Sequence, residues 1–256
     1  MYQVSIPNLT LEGKTAIVTG GSRGIGKAIS LIFAEAGADV VICGRTIADL
    51  EAVAQEIRGL GRRCLAVPAD ITQKAAVDNL VRKTIDEFGV IDILVNNAGT
   101  GILLPLLEHS EEDWDRVIDT NLKGYYLCSR AVGRRMIDQK NGNIISISSI
   151  RGLEAYPGRG AYCVSKAGVI MMTRVLALEL SSYNIRANAI APGFVRTELT
   201  ESSWADPKTR EQITAQIPMG RWGTLNEIAN VALFLASDAS SYITGHTIVV
   251  SGGWSS

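Results

Sequence analysis

Short apolar runs alternate along the chain with longer segments in which apolar residues recur every three to four positions. The runs have the length and composition of buried strands, and they lie at Thr15–Thr19, Asp39–Cys43, Arg63–Val67, Ile91–Val95, Asn143–Ser148, Ile185–Ile190 and Thr247–Val250. Helical patterns separate most of them. This alternation predicts an α/β fold with a seven-stranded, doubly wound parallel sheet and helices on both faces.

The sequence also predicts where several helices begin and end. Three segments resemble capping boxes or their aspartate variant, and they begin at Thr46, Ser110 and Thr224. Gly37 follows the first helical pattern at the position where a helix usually ends in a left-handed residue. One long helix is predicted over 111–139, with Asn121 in its interior, where asparagine has a poor helix propensity.

The composition and net charge of the chain exclude several classes of ligand and site. The 256 residues carry a net charge of −1 with acids and bases interspersed, which favours a small-molecule ligand over nucleic acid or an anionic membrane. The four cysteines form no C-x-x-C pair and the two histidines form no cluster, so we expect no metal site and a reducing compartment. No linker divides the chain, and residues 1–14 show no signal-peptide pattern. We therefore predict one cytoplasmic domain over residues 1–256 without a membrane span.

A glycine-rich turn joins the first strand to the first helix. Glycines at such a turn let the backbone approach a pyrophosphate, and the free N–H groups of the helix N-terminus bind its charge. The candidate contacts are Gly20, Ser22, Arg23, Gly24, Ile25 and Gly26.

A second candidate site is the pair Tyr162 and Lys166, one helical turn apart on the same face. An ammonium at that spacing favours the phenolate, so we expect Lys166 to lower the pKa of Tyr162 and make it a usable acid or base. Ser149 follows the fifth strand, where open α/β sheets bind ligands. A substrate carbonyl held between Ser149 and Tyr162 would then accept a proton as hydride reaches its carbon.

Together with Asn96-Asn97-Ala98-Gly99, Asn121 and Pro192-Gly193 followed by Thr197, these motifs resemble the short-chain dehydrogenase/reductase family from about Leu11 to Trp254. The resemblance implies a Rossmann fold and a catalytic tetrad of Asn121, Ser149, Tyr162 and Lys166, with Asn121 holding a water beside the lysine. It also implies nucleotide contacts: Asp70 and Ile71 near the adenine, Asn97, Ala98 and Gly99 under the ribose, Tyr162 and Lys166 at the nicotinamide ribose, and Pro192, Gly193, Val195 and Thr197 at the nicotinamide and phosphates.

The end of the second strand distinguishes the two nicotinamide cofactors. An acidic residue there would bind the ribose hydroxyls of NAD, but the sequence has Gly44-Arg45-Thr46. Arg45 and Arg23 supply two guanidinium groups suited to a 2′-phosphate. We therefore expect NADP(H).

The substrate is less constrained by the sequence. The likeness is greatest to the branch that contains 3-oxoacyl-carrier-protein reductases, gluconate 5-dehydrogenases and glucose 1-dehydrogenases. A reductase of carrier-protein substrates needs basic residues beside the cleft. Lys140 is near one of the expected positions, but Tyr183 is near another, which weakens the carrier-protein alternative. Glu154 and Tyr156 would bind substrate hydroxyls, together with Ser149 and Tyr162, and suit a sugar, sugar acid or polyol. Residues 198–220 are predicted to form a substrate lid.

Other interpretations remain open at this stage. The same fold could serve as an NADP(H)-binding sensor or scaffold, and Ser149 with Lys166 could form a hydrolase pair, although the glycine turn and Arg45 would then have no purpose. The helix of Tyr162 is apolar on almost all sides through Leu180. Members of the family pair this helix across a two-fold axis, so the resemblance implies a homo-oligomer, and a tetramer in particular.

Overall fold

The structure is a computed structural model and describes residues 9–254. Its centre is a parallel sheet of seven strands in the order β3-β2-β1-β4-β5-β6-β7. The strands are β1 (Thr15–Thr19), β2 (Asp39–Gly44), β3 (Cys64–Pro68), β4 (Ile93–Asn96), β5 (Gly142–Ile147), β6 (Ile185–Pro192) and β7 (Thr247–Val250). The predicted α/β fold and each predicted strand are confirmed, with ends displaced by at most two residues.

The helices of the described chain are α1 (Gly24–Glu35), α2 (Ile47–Gly59), α3 (Lys74–Phe88), α4 (Glu111–Ile118), α5 (Gly124–Gln139), α6 (Gly160–Leu180), α7 (Glu201–Ala205), α8 (Pro207–Ala215) and α9 (Leu225–Ala236). One apolar core joins α1, α2 and α9 to one face of the sheet. A second joins α3, α5 and α6 to the other face. The order of the strands reverses between β1 and β4, and the carboxyl ends of parallel strands at such a point form a ligand crevice.

The capping signals had mixed outcomes. Thr224 and Glu227 form the complete predicted capping box at α9, and Ser110 accepts a bond from the backbone N–H of Asp113 at α4. Gly37 has the predicted left-handed backbone, with φ of +102°. The prediction at Thr46 is wrong, because its side chain makes no capping bond at α2.

The single helix predicted over 111–139 is interrupted. Residues Asp119–Lys123 form a π-helical turn between α4 and α5, and Asn121 lies within it, fully buried. Such turns carry one residue more than a regular helical turn and re-aim the side chains around them. The poor helix propensity of Asn121 indicated the irregularity, and the turn points its amide away from the helix backbone toward the loop after β4.

The segment 198–220 contains the short helices α7 and α8, which the weak periodicity did not reveal. Asp206 caps α8 by accepting a bond from Thr209 N at 3.0 Å, and Pro207 occupies the first turn. Beneath the segment lies an aromatic cluster in which Phe194 packs on Trp222 and Trp254, at centroid distances of 5.2 and 5.0 Å. This cluster attaches the segment to the domain at its base.

Helix α6 is the longest helix of the described residues. With the turn that follows it, Gly160–Tyr183 is long and apolar enough to cross a membrane when length and composition alone are considered, and 39% of its most apolar stretch is buried within the domain. Its inner face packs on the sheet and contributes Val169, Ala177 and Leu180 to the second core. Lys166 on this helix is also buried. These contacts are those of a core helix.

Candidate active site

A cleft of about 710 Å³ runs along the carboxyl ends of the strands. Most of the sequence-predicted site residues line it: Gly20, Ser22, Arg23, Gly24, Ile25, Arg45, Asp70, Ile71, Asn97, Ala98, Gly99, Ser149, Tyr162, Lys166, Pro192, Gly193, Val195 and Thr197. Four do not line it, namely Gly26, Asn121, Glu154 and Tyr156. The sheet topology thus brings together motifs that lie more than one hundred residues apart in sequence.

The glycine turn is shaped by close backbone packing. A Cβ atom at Gly26 would lie 2.2 Å from the carbonyl oxygen of Gly20, and one at Gly20 would lie 2.9 Å from Ala98 Cα. Gly20 and Gly24 also have positive φ angles, of +65° and +52°. Gly26 therefore permits α1 to pack on the turn, and we correct its expected direct contact with a ligand to this indirect one.

Asn97 fixes the loop after β4 to the glycine turn. Its amide Nδ2 donates to the carbonyl oxygens of Thr19 and Gly20, at 2.9 and 3.2 Å. The Thr19 hydroxyl in turn accepts from the backbone N–H groups of Asn97 and Ala98. The two loops that form the floor of the cleft are therefore held at a constant separation.

Two guanidinium groups lie at the far end of the cleft. Arg23 and Arg45 are exposed there, and neither forms an ion pair with another described residue. Asp70 lies nearby, but its Oδ1 accepts from the backbone and hydroxyl of Thr72, at 3.0 and 2.8 Å. This end of the cleft therefore offers two unpaired cations to an anionic group.

Tyr162 stands in the first turn of α6, and Ser149 caps a short 3-10 turn after β5. The Ser149 hydroxyl accepts from the backbone N–H of Arg151 at 3.1 Å, which orients it. Burial raises the pKa of Tyr162, while the Ser149 side chain and the Arg159 charge act in the opposite direction. At neutral pH the phenol is therefore protonated and suited to donate a proton.

Lys166 does not act on Tyr162 as the sequence predicted. Its Nζ donates to the carbonyl oxygen of Ile147 at 2.8 Å and to the Tyr125 hydroxyl at 3.5 Å, and lies 5.7 Å from the centroid of the Tyr162 ring. Burial lowers the pKa of Lys166 to about 7, so much of its charge is lost near neutral pH. The expectation that Lys166 lowers the pKa of Tyr162 is therefore wrong for the protein by itself.

Asn121 connects three elements from beneath the cleft. Its Oδ1 accepts from Thr100 N and its Nδ2 donates to Thr100 O, each at 2.8 Å. The same Nδ2 donates to the Ser165 hydroxyl on α6 at 3.1 Å. Asn121 Oδ1 and Lys166 Nζ both lie within 3.7 Å of the point that a Cβ atom of Gly99 would occupy. The absence of a side chain at Gly99 keeps the lysine close to the asparagine.

Glu154 and Tyr156, expected to bind substrate, are turned toward Arg151 instead. The Arg151 guanidinium carbon lies 3.9 Å from the centroid of the Tyr156 ring, and Arg151 Nη1 lies 3.9 Å from a Glu154 oxygen. Arg151 is itself buried, whereas Tyr156 is 41% exposed. Neither Glu154 nor Tyr156 lines the cleft, and their direct contact with a substrate stays a prediction.

Several residues of the site gave no recognisable signal in the sequence. The fully buried Tyr125 holds Lys166 from below. The cleft is also lined by Cys43, Gly44, Thr46, Asp49, Ala69, Thr72, Thr100, Arg116, Asp119, Thr120, Ile147, Ser148, Glu198, Leu199 and Thr200. Those that directly follow β2, β3 and β4 could have been found by extending the rule that strand ends bind ligands, whereas Arg116 and its neighbours come from α4.

Within residues 9–254, the His, Cys, Asp and Glu side chains form no group of three or more that is suited to hold a metal ion. The cleft brings the Tyr162, Ser149 and Lys166 side chains together with the glycine turn and the arginines that are suited to bind a nucleotide. That combination suits proton transfer to a carbonyl oxygen coupled to reduction of its carbon.

Comparison with known proteins agrees with this chemistry. A family model described as "Enoyl-(Acyl carrier protein) reductase", one of the short-chain dehydrogenase/reductase models, matches residues 20–255. The 3-oxoacyl-[acyl-carrier-protein] reductase FabG of Thermotoga maritima is 43% identical over 245 residues, which are 96% of this chain and 99% of the relative. The corresponding reductase of Synechocystis is 44% identical over 95% of this chain and 97% of its own.

Solved structures show the same relationship. A gluconate 5-dehydrogenase from Burkholderia cenocepacia, in complex with NADP and tartrate, superposes with a TM-score of 0.93 at 35% identity, covering 97% of each chain. The extent of these matches shows that the chain is an oxidoreductase and belongs to the short-chain dehydrogenase/reductase family.

Proposed function

We propose that the protein is an NADP(H)-dependent oxidoreductase that transfers hydride between the nicotinamide and a ketone or secondary alcohol, with Tyr162 as the general acid and base. The observation that carries this proposal is the convergence of Ser149, Tyr162 and Lys166 on one end of the cleft while the glycine turn and Arg45 form the other. A cleft with these two ends matches an elongated dinucleotide next to a reacting carbonyl.

The residues present fit NADP. The glycine turn leaves no room for a side chain at Gly26, and Ser22, Arg23 and Gly24 line the cleft at the N-terminus of α1, where backbone N–H groups would bind the pyrophosphate. Arg45 and Arg23 would hold the 2′-phosphate. When bound, the cofactor supplies or accepts the hydride. The proposed remaining contacts are Gly20, Ile25, Asp70, Ile71, Asn97, Ala98, Gly99, Tyr162, Lys166, Pro192, Gly193, Val195 and Thr197.

In the reducing direction, the protonated Tyr162 donates its proton to the substrate oxygen while Ser149 orients that oxygen. Burial keeps the phenol protonated at neutral pH, and the Ser149 hydroxyl and the Arg159 charge, which act to lower the pKa of Tyr162, would stabilise the phenolate that remains after the transfer. Lys166 would return a proton to the Tyr162 phenolate, and a water held by Asn121 would carry a proton from solvent to the lysine. General acid–base catalysis of this kind contributes about 10²–10⁴-fold to the rate.

A 3-oxoacyl thioester is the first candidate substrate. Several apolar side chains are exposed on the segment that follows Gly101, which lies beside Tyr162, and at the start of the segment 198–220, namely Leu103, Leu106, Leu107 and Leu199. An acyl chain would cover such surface favourably. The relatives named as 3-oxoacyl-carrier-protein reductases support this candidate, although Tyr183 stands where a carrier protein would need a cation.

A sugar or sugar acid is the second candidate. It is supported by the superposed gluconate 5-dehydrogenase, whose complex contains tartrate, a hydroxylated dicarboxylate. Polar groups beside Tyr162, among them the Arg159 guanidinium, would form hydrogen bonds with such a substrate. We propose that the segment 198–220 closes over either substrate as a lid, because Thr197, Glu198 and Leu199 line the cleft at its base.

The assignment of Tyr162 is tested by Tyr162→Phe. We expect its rate of NADPH oxidation with any accepted ketone to fall by about 10²-fold or more, because the proton donor is lost while the ring is retained. Binding of NADPH, followed by the fluorescence of its nicotinamide, should stay close to that of the parent protein. Turnover within a few-fold of the parent would contradict the role of Tyr162, and NADPH binding without oxidation of any ketone by the parent would favour a sensor or scaffold.

We further propose that the protein is a cytoplasmic homo-oligomer, and specifically a homotetramer. All four cysteines are unpaired in the structure, as a reducing compartment requires. Helix α6 exposes Val164, Met171, Val175 and Leu178 on its outer face, and α5 exposes Tyr126 nearby. An apolar face of this kind is characteristic of a surface that another copy of the chain covers.

A further inference from the structure

Arg23 and Arg45 line the cleft and Arg159 lies beside Tyr162, and none of the three forms an ion pair with another described residue. Arg23 lies in the glycine turn and Arg45 follows β2, and both are accounted for by the proposed cofactor. Arg159 lies at the opposite end, next to Tyr162, and is only partly exposed. A guanidinium is charged at every physiological pH, so it imposes a cation beside the reacting carbonyl.

The backbone fixes where Arg159 stands. It is the residue before α6, its N–H donates to Tyr156 O at 3.2 Å, and its carbonyl accepts from Cys163 N at 2.8 Å. An isolated β-bridge to Leu104 joins Arg159 to the segment that follows Gly101. The side chain therefore starts from a rigid position three residues before Tyr162.

Gly101 provides the space between the arginine and the tyrosine. A Cβ atom at Gly101 would lie 3.5 Å from Arg159 Nη1, 3.4 Å from Tyr162 Cδ2 and 3.4 Å from Leu199 Cδ1. The cation, the candidate catalytic ring and the base of the segment 198–220 therefore face one small volume. Arg159 therefore stands beside the ring of Tyr162, on the side that faces Gly101.

The electrostatic surroundings also favour an anion. Burial lowers the pKa of Arg151, and the charge of Arg159 adds a smaller effect in the same direction, while Glu154 lies 3.9 Å from Arg151. Arg151 is buried, and its Nη2 has no hydrogen-bond partner among the described residues. Two cations and one carboxylate leave a local excess of positive charge, which a negative group on the substrate would balance.

We propose that Arg159 binds a carboxylate of the substrate, which favours free oxo acids or hydroxy acids, the class of the second candidate substrate, over the thioesters of the first. This inference rests on the proposed function, since it needs a carbonyl at Tyr162. In a 3-oxo acid the carboxylate carbon lies two bonds from the ketone carbon, roughly 2.5 Å away, so a group that binds the carboxylate must stand close to the residue that protonates the ketone oxygen, as Arg159 stands close to Tyr162. A planar carboxylate also matches the guanidinium fork.

The test compares acetoacetate with methyl acetoacetate, which differ in charge but scarcely in shape. With NADPH we expect the parent protein to prefer the acid by about 10- to 100-fold in kcat/KM, the effect of a charge-assisted hydrogen bond. In Arg159→Gln the ratio of kcat/KM for the acid to that for the ester should fall toward one, because the guanidinium contact is made by the acid alone, whereas any change in the pKa of Tyr162 affects both substrates alike. Arg159→Lys should keep part of the preference, since the charge remains. Saturation-transfer NMR of acetoacetate with each protein reports binding independently of turnover.

Arg82→Gln is the matched control, because Arg82 is exposed on α3 far from the cleft and the substitution removes the same charge. It should leave the preference unchanged. Equal turnover of acid and ester by the parent protein, or a preference that persists in Arg159→Gln, would overturn the inference while leaving the oxidoreductase assignment intact. Absence of NADPH oxidation with either compound and with uncharged cyclic ketones would instead overturn both.

Discussion

Burial gives the key side chains of the cleft properties that their residue types do not have in water. Lys166 is 3% exposed and meets a carbonyl and a hydroxyl where an ordinary lysine meets solvent. Tyr162 keeps its proton more firmly than a free tyrosine does. The same two residues at the surface of a helix would be an unremarkable pair, so their chemistry comes from the elements packed around them.

Replacing Lys166 by methionine should change how stability depends on pH. The pKa of Lys166 is about 7 in the folded protein and near 10.5 in the unfolded chain. Below pH 7 both states hold the proton, and between these values only the unfolded state does, so the stability contributed at this site rises with pH across the interval. Urea unfolding at pH 7.5 and 9.5 should show the parent gaining up to about 1.4 kcal/mol per pH unit relative to Lys166→Met. Parallel curves for the two proteins would contradict the buried, weakly basic lysine.

Arg45 should decide between the two nicotinamide cofactors. Its guanidinium is unpaired at the cleft and would bond the 2′-phosphate that only NADP carries. In Arg45→Gln we expect kcat/KM for NADPH to fall by about 10- to 100-fold, which corresponds to the roughly 1.5–3 kcal/mol of a charge-assisted bond, while the value for NADH changes little. Arg82→Gln serves again as the charge-matched control, and an equal loss with both cofactors would argue against a phosphate contact.

At the scale of the helices and strands, the helix N-termini show which capping patterns in the sequence form hydrogen bonds in the structure. Thr46 and Thr224 stand in similar sequence patterns, yet only Thr224 completes a capping box. Thr46 faces the cleft instead, because the turn after β2 directs its side chain there. A capping pattern in the sequence makes a hydrogen bond at the helix N-terminus possible, and the surrounding fold determines whether the side chain forms it.

This difference should be measurable as stability. Thr224→Ala should lower the free energy of unfolding by about 1 kcal/mol, since the N–H of Glu227 loses its partner. Thr46→Ala at α2 lacks such a bond to lose and should cost only a few tenths of that value. Chemical denaturation of both variants provides the comparison, and equal losses would show that the capping geometry at Thr224 carries no stability of its own.

At the scale of the whole molecule, the outer apolar face of α6 is exposed to solvent. Leu178 is 83% exposed and Met171 is 56% exposed on this face. The inner face of the same helix is buried against the sheet, so the helix is apolar on two sides while the isolated domain covers only one. A second copy packed on this face would remove the exposed surface from water.

Leu178→Glu should therefore dissociate the oligomer into smaller species, because the substitution places a carboxylate in each copy at a surface that two copies share. Light scattering coupled to size-exclusion chromatography measures the mass directly. Leu60→Glu is a suitable control, as Leu60 is 43% exposed at the end of α2, away from α6. An unchanged mass in Leu178→Glu, or a parent protein that is monomeric, would exclude α6 as the contact surface.

Local sequence determined the parts of this protein that depend on neighbouring residues. The seven strands, the Gly37 helix end, the Thr224 cap and the glycine turn each follow from periodicity or backbone freedom within a few positions, and each is present in the structure. The order of the family motifs indicated the fold and the cleft, because parallel strands bring their carboxyl ends to one edge.

The packed structure determined what depends on residues distant in sequence. The depressed pKa of Lys166 needs the burial provided by β5 and Tyr125, and the turn of Glu154 toward Arg151 needs the aromatic rings that surround that arginine. The position of Arg159 beside Tyr162 depends on the loop that Gly101 leaves open. Burial, desolvation and unpaired charge are properties of a three-dimensional environment, and spacing along the chain does not contain them.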